Sequence, residues 1–179
     1  MLAKSKLVAG AIAASLGASS ADALGPAAPS PTLDYAFTTR VEVAPPLELG
    51  EAGGGRKRFI AITGGRITGP LLSGEVLPGG GDWQTIQPDG VARVEARYFL
   101  KAADGTVIEV ENSGLRVASP EVTERLARGE DVDPTSYYFR TTPRFTVRAG
   151  PHDWLQRSTF VARGIRKPDH VLIDFYVVR

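Results

Sequence analysis

From Leu33 onward, apolar and polar residues alternate with a period of two. Tyr35, Phe37, Thr39, Val41 and Val43 fall on one side of an extended chain, with Asp34, Ala36, Thr38, Arg40 and Glu42 on the other. That alternation predicts a half-buried strand. Phe59 to Thr63 and Arg66 to Leu71 flank Gly64-Gly65, which predicts a hairpin with two glycines supplying positive φ. Gly74 to Leu77 continues as a strand into a loop, Pro78-Gly79-Gly80-Gly81. A second hairpin is expected where Val91 to Lys101 and Thr106 to Asn112 flank Asp104-Gly105, a type I′ turn signal. Further strands are expected at Tyr137 to Thr141, Phe145 to Arg148, Ser158 to Ala162 and Val171 to Val178. One helix stands out. Ser119 caps it, Pro120 takes its first position and Gly129 stops it. Many short strands and one short helix define an all-β protein, and a single antiparallel barrel is the expected form.

The first residues follow another pattern. Lys4 and Lys6 precede the apolar run Leu7 to Leu16, and small residues lead to Ala21-Asp22-Ala23. This is the three-part layout of a cleavable secretory signal peptide, shorter than a membrane span. The expected organisation is a signal peptide over 1–23, a proline-rich tether over 24–32 and a barrel domain over 33–179, placed in the periplasm or secreted. Cleavage removes two lysines and one aspartate from 21 basic and 20 acidic residues, leaving the mature chain neutral. Neutrality speaks against a nucleic-acid partner and against a polybasic membrane surface. The chain has no cysteine, so disulfides, thiolate chemistry and cysteine-held metals are excluded.

Several blocks in order carry a family likeness: GGRITGPLLSGEVLPGGGDW from Gly64, ARYFLKAADGTVIEVENSG from Ala96, YYFRTTPRF from Tyr137, DWLQRSTFVARG from Asp153, and the closing strand VLIDFYVV. From about Thr32 to Val178 the chain resembles the bacterial and fungal family known as domain of unknown function 3237. The resemblance implies one antiparallel barrel, similar in outline to calycin and allene-oxide-cyclase barrels. Gln156 departs from the asparagine that the family often carries after the Trp-Leu pair, which bears on any role for an amide there. The resemblance implies no reaction.

Candidate chemistry follows from strand register. With a two-residue Asp104-Gly105 loop, Arg97 faces Asn112, Phe99 faces Val110 and Lys101 faces Ile108, all on one side together with Glu95. That side is then an apolar wall with a polar cluster of Glu95, Arg97 and Asn112, the usual build of a small-molecule pocket. The alternatives are a buried Glu95–Arg97 ion pair, or an outward charged face with Tyr98 and Leu100 inside; a slip of one residue exchanges the two faces. Asp82 and Trp83 end the glycine loop, as a pocket rim in which the indole stacks on a ligand and the carboxylate takes its proton, or as a loop cap and a barrel plug. Tyr138 and Arg140 share one strand face, where Arg140 either holds a carboxylate or enolate or pairs with a neighbouring acid.

His152 beside Asp153 is a general-base candidate, though an ordinary loop histidine fits as well. Two distant histidines make no transition-metal site, and Glu130-Asp131-Val132-Asp133 lacks calcium-loop spacing, so no metal and no cofactor are expected. No phosphate loop and no Ser-His-Asp set is present.

Two functions compete on this reading. One is a cofactor-independent isomerase, cyclase or lyase for a small apolar or aromatic oxygenated molecule, with Asp82 or Glu95 as base and Arg97 or Arg140 as stabiliser. The other is a non-catalytic periplasmic ligand-binding or carrier barrel. A barrel filled by its own side chains is a third possibility, and a homo-oligomer is compatible with all of them.

Overall fold

The computed structural model describes residues 29–179. The expected signal peptide lies outside the described residues. Eleven elements follow in order: β1 (Leu33–Val43), β2 (Leu47–Ala52), β3 (Gly55–Thr68), β4 (Gly74–Ile86), β5 (Ala92–Ala102), β6 (Val107–Val117), α1 (Pro120–Ala127), β7 (Tyr138–Val147), a 3₁₀ turn (Asp153–Arg157), β8 (Phe160–Arg166) and β9 (His170–Val178). Each strand from β3 to β9 pairs antiparallel with the next, β9 pairs with β1, and β1 pairs back with β3. That last seam closes an eight-stranded barrel and leaves β2 as a ribbon on the outside of β3. Closure removes the free edges that an open sheet exposes.

The strand expected first, β1, has the bounds its alternation predicts. Side chains alternate most regularly along β7, where Phe139, Thr141, Pro143, Phe145 and Val147 are buried and the residues between them are exposed. Where two predicted strands stood, β7 is a single strand running through Pro143. It pairs with β8 only at Arg140 and Thr141, before the residue that has no N–H to donate.

Two glycine clusters bend strands instead of turning the chain. Gly64-Gly65 lies inside β3, where φ is +149° and +142°. The registers with β1 and β4 both slip there. A Cβ on Gly65 would meet the Arg40 carbonyl oxygen at 1.9 Å, so only glycine lets β1 and β3 close the seam at that corner. Gly79 and Gly80, also at positive φ, form a bulge within β4 and not a loop.

The β5–β6 register corrects a prediction. Gly105 N–H donates to the Ala102 carbonyl at 2.8 Å and Ala102 N–H to the Thr106 carbonyl at 2.9 Å, so the loop has three residues, Ala103-Asp104-Gly105. Gly105 sits at φ +85°, which a bulge of this loop type needs. The extra residue shifts every pair by one: Arg97 faces Glu111, Tyr98 faces Val110 and Ala96 faces Asn112. The faces exchange accordingly, and Tyr98, Leu100, Ile108 and Val110 point inward.

One half of the barrel is packed solid. Phe37 stacks on Phe175 at 4.6 Å and Phe145 meets Phe160 edge-on at 4.9 Å, with Leu100, Ile108 and Leu155 completing the plug. The other half stays narrow-walled and open. Helix α1 stands at that open end, capped by Ser119, whose hydroxyl accepts from Val122 N–H at 3.2 Å, and ended at Gly129 (φ +76°). Its buried residue Leu126 packs with Val94, Val132, Tyr137 and Phe139.

Candidate functional site

Above the aromatic plug, β1, β3, β4, β5, β6, β7, β8 and β9 enclose a chamber of about 60 Å³. Val41, Ile62, Val94, Ala96 and Ile173 give it apolar walls, and a few polar groups converge on it: Asp82, Gln84, Tyr98, Asn112, Thr141, Arg116 and Arg166. It leads into a vestibule of about 440 Å³ bounded by Arg58, Pro45, Pro46, Leu126 and Pro168. The two spaces share Val43, Ile60, Arg116 and Arg166. A mostly apolar concavity with few convergent polar groups is how ligand sites are built.

The polar groups follow from register. Asp82, Ala96 and Asn112 lie in one row across β4, β5 and β6, so the Asp82 and Asn112 side chains enter the lumen with only a methyl group between them. Asp82 accepts from Glu95 N–H at 3.0 Å and from the Gln84 amide. Gln84 is fixed in turn by Arg58, whose Nε donates to its Oε1 at 2.8 Å. This relay orients the carboxyl and sets the Gln84 flip. Burial raises the Asp82 pKa above the usual carboxylate range, against the opposing pull of the Gln84 and Glu95 donors and of Arg116 and Arg58. Asp82 keeps some accessible surface, yet its depth in the barrel governs its solvation.

Some lumen atoms have no partner. Among the described residues, Asn112 Oδ1 and Thr141 Oγ1 are buried without a hydrogen bond, and the Tyr98 hydroxyl has only the Thr39 hydroxyl beside it. Leaving such atoms unmet costs about 1–3 kcal/mol each, and all three residues line the chamber. Burial pushes the Tyr98 phenol upward, so it stays a neutral donor. Arg116, 8% exposed, has its pKa lowered to about 10 by burial and by Arg58 and Arg166, and stays charged at neutral pH.

Among the described residues no cluster of three or more metal-ligating side chains occurs. The geometry offers a chamber with one carboxyl, an arginine-rich mouth and unmet hydroxyl and amide groups, suited to binding a small oxygenated molecule and moving a proton on it.

Residues 31–178 match the family described as protein of unknown function (DUF3237). The chain belongs to this family. It is 43% identical over 151 residues to a UPF0311 protein of Bradyrhizobium diazoefficiens, covering 83% of this chain and 99% of that one. The crystal structure of a conserved protein of unknown function from Rhodopseudomonas palustris superposes with a TM-score of 0.82 at 39% identity, over 85% of this chain and 100% of that one. The hydroalkoxylation enzyme phnH of Penicillium herquei is 32% identical over 99 residues, which cover 55% of this chain and 66% of the fungal one.

On this DUF3237 barrel the sequence candidates separate by face. Asp82 and Asn112 enter the chamber, as a pocket requires. Glu95 and Arg97 do not: both are exposed on the outer wall, Arg97 paired with Glu109 and Glu111. Trp83 is 49% exposed and packs on Phe59 outside, with ring centroids 4.8 Å apart, so it rims no pocket. Tyr138 and Arg140 do share a face, but it is the outer one, with the guanidinium 5.3 Å above the phenol ring. His152 contacts Asp104 at the far hairpin.

Sequence reasoning missed Arg58, Gln84, Tyr98, Arg116, Thr141 and Arg166. The signal for some was present. Arg116 lies on the inward row of β6 with Ile108, Val110 and Asn112, and Gln84 lies two residues beyond Asp82.

Proposed function

We propose that this barrel is a cofactor-independent enzyme that moves a proton on a small, largely apolar oxygenated molecule held in the chamber, with Asp82 as the acid–base group. The observation that carries this reading is the placement of a single carboxyl among apolar walls, oriented by Gln84 and Arg58, in a chamber that the Tyr98 hydroxyl and the unmet Asn112 and Thr141 groups also line. A carboxyl poised above its ordinary range is what such catalysis uses. The name of the Penicillium relative supports the reaction class. Adding a hydroxyl across a carbon–carbon double bond breaks an O–H and a π bond and forms C–H and C–O bonds. No electrons are exchanged, so an acid–base group and an orienting cavity suffice. Protonated Asp82 delivers a proton to carbon, the hydroxyl oxygen closes on the adjacent carbon, and the hydroxyl proton returns to the Asp82 carboxylate. The enzyme ends as it began.

A carrier is the second reading, favoured by one observation. Two N–H donors, from Gln84 and Glu95, meet the Asp82 carboxylate as they would a permanent structural acceptor. Incubating the purified domain with ortho-alkenyl phenols in heavy water separates the readings. The enzyme incorporates one deuterium at carbon in a cyclised product, and Asp82→Asn lowers the rate at least about 100-fold, the usual share of a general acid. Binding of these phenols without deuterium uptake leaves the carrier; equal rates in Asp82→Asn remove Asp82 as the acid–base group.

Export is part of the proposal. The Lys4–Lys6, Leu7–Leu16 and Ala21-Asp22-Ala23 layout supports a cleaved leader. Cell fractionation with sequencing of the mature N-terminus checks it; full-length protein in the cytoplasm refutes it.

A further inference from the structure

Three guanidinium groups from three strands meet at the open end of the barrel: Arg58 on β3, Arg116 on β6 and Arg166 on β8. Arg58 and Arg116 are only 9% and 8% exposed. Their partners are few. Arg58 spends its Nε on the neutral Gln84 amide, and Arg166 donates from Nη1 to the backbone carbonyls of Lys167 and His170. Among the described residues no side-chain hydrogen bond holds Arg116, and burial and neighbouring charge act on it. Among the described residues no carboxylate forms an ion pair with any of the three. Asp82 is the acid that faces Arg58 and Arg116 from within the chamber, Glu48 faces Arg58 from outside, and Asp169 faces Arg166. Arg56 and Arg128, at the outer rim of the same vestibule, are paired in contrast: Arg56 meets Glu48 at 2.9 Å and Arg128 meets Glu130 at 2.8 Å.

Gathering like charges at a largely buried site without a direct ion pair is expensive, and a fold does not need it. An arginine's planar fork is suited to a carboxylate or a comparable oxyanion. We infer that the molecule bound in this barrel is an anion: the arginine mouth takes one oxyanion, a carboxylate or phenolate, carried on an apolar body that extends inward past Asp82. Arg116 is its principal contact, flanked by Arg58 and Arg166. The inference rests on reading the lumen as a ligand site, and it names the substrate class for that site.

The strand spacing gives the ligand's scale. Arg116 and Asn112 lie four positions apart on the inward face of β6, roughly 13 Å along the strand. A slender body, with its charge at the vestibule end and an oxygen function at its narrow inner end, reaches both, and the chamber of about 60 Å³ admits only that inner end. The unmet Asn112 Oδ1 accepts from a hydroxyl at the inner end.

The test compares acetate, benzoate and 2-naphthoate with acetamide, benzamide and 2-naphthamide, measuring binding by calorimetry and thermal shift on the mature chain at low salt. At least one carboxylate is expected to bind ten-fold or more tightly than its matched amide. That preference disappears in Arg116→Gln and persists in Arg140→Gln, where the altered arginine lies on the outer wall. Without ligand, Arg116→Met is expected to melt at a higher temperature than the parent, because it relieves a buried charge that has no ion pair among the described residues. If Arg116→Gln does not fold, Arg58→Gln carries the same comparison. Equal behaviour of every acid and amide, including no binding by any of them to tens of millimolar, overturns the inference. So does a preference that survives in both Arg116→Gln and Arg58→Gln. Asp82→Asn separates this inference from the catalytic reading: loss of turnover with the anion preference intact supports both, and turnover that continues with the preference intact removes the catalytic reading alone.

Discussion

Asp82 sits where two demands on a carboxyl conflict. Burial favours its neutral form, while Gln84 and the Glu95 N–H favour the ionised one, and burial prevails. A carboxyl whose folded-state pKa lies above its unfolded value binds more protons when folded between the two. Its contribution to stability is therefore full below the unfolded pKa and is lost as pH rises through the folded one. Asp104, Glu130, Asp133 and Asp169 are shifted the other way and hide this trend in the whole protein. The difference between parent and Asp82→Asn isolates it. Denaturant titrations from acid to neutral pH are expected to show the parent losing stability relative to the variant over that window and running parallel above it. A flat difference shows that Asp82 is not shifted. At this scale Asp82 was legible as the acid that ends the glycine-rich segment, and Asn112 from the alternation of β6, which the change of register leaves intact. Arg116 shares that inward row, but charged residues in a strand ordinarily face water, and for Arg58 only three-dimensional closure shows the inward face.

Element boundaries turned on single residues of loop. The sequence Ala103-Asp104-Gly105 accommodates either a two-residue turn or a three-residue turn with a glycine bulge, and nothing local decides between them. Asp104 Oδ1 accepts from Thr106 N–H at 2.9 Å, a bond that helps define the observed turn. Choosing the shorter loop moved Phe99 inside and Tyr98 outside, and made a site of Glu95 and Arg97. The glycine pairs misled for a related reason, since positive φ serves a bulge within a strand as well as a turn between strands. Gly65→Ala tests the difference. A Cβ there meets backbone at the closing seam, so the variant is expected to lose about 3 kcal/mol or more, as forced backbone strain does. A hairpin tip would lose far less. Helix α1 was predicted from its caps alone, and its one buried side chain is Leu126, with Val122 packed beside it. Leu126→Ala is expected to cost about 2–4 kcal/mol and to speed hydrogen exchange in α1 ahead of the barrel strands. Uniform protection throughout shows the helix is held by something else.

At the scale of the molecule, the barrel itself was readable from β1, the second hairpin and the final strand, whose alternation allows one buried face each. What alternation does not reveal is how the interior is divided. The stacked phenylalanines of β1, β7, β8 and β9 fill one end, while smaller Val41, Val94, Ala96 and Gly164 leave room at the other. Volume, not polarity, makes that division, and the volumes sum only after eight strands are closed.

The aromatic plug has a kinetic consequence. A chamber stoppered at one end has one door, so whatever reacts inside must leave by the path it came, past the arginines that admitted it. Product and substrate then contend for the same passage, and a product that retains the charge of its precursor becomes an inhibitor of comparable strength. Two reactants would have to load in a fixed sequence, the first trapped beneath the second. Chemistry that rearranges a single molecule without a co-reactant avoids that queue, and a barrel of this shape favours it.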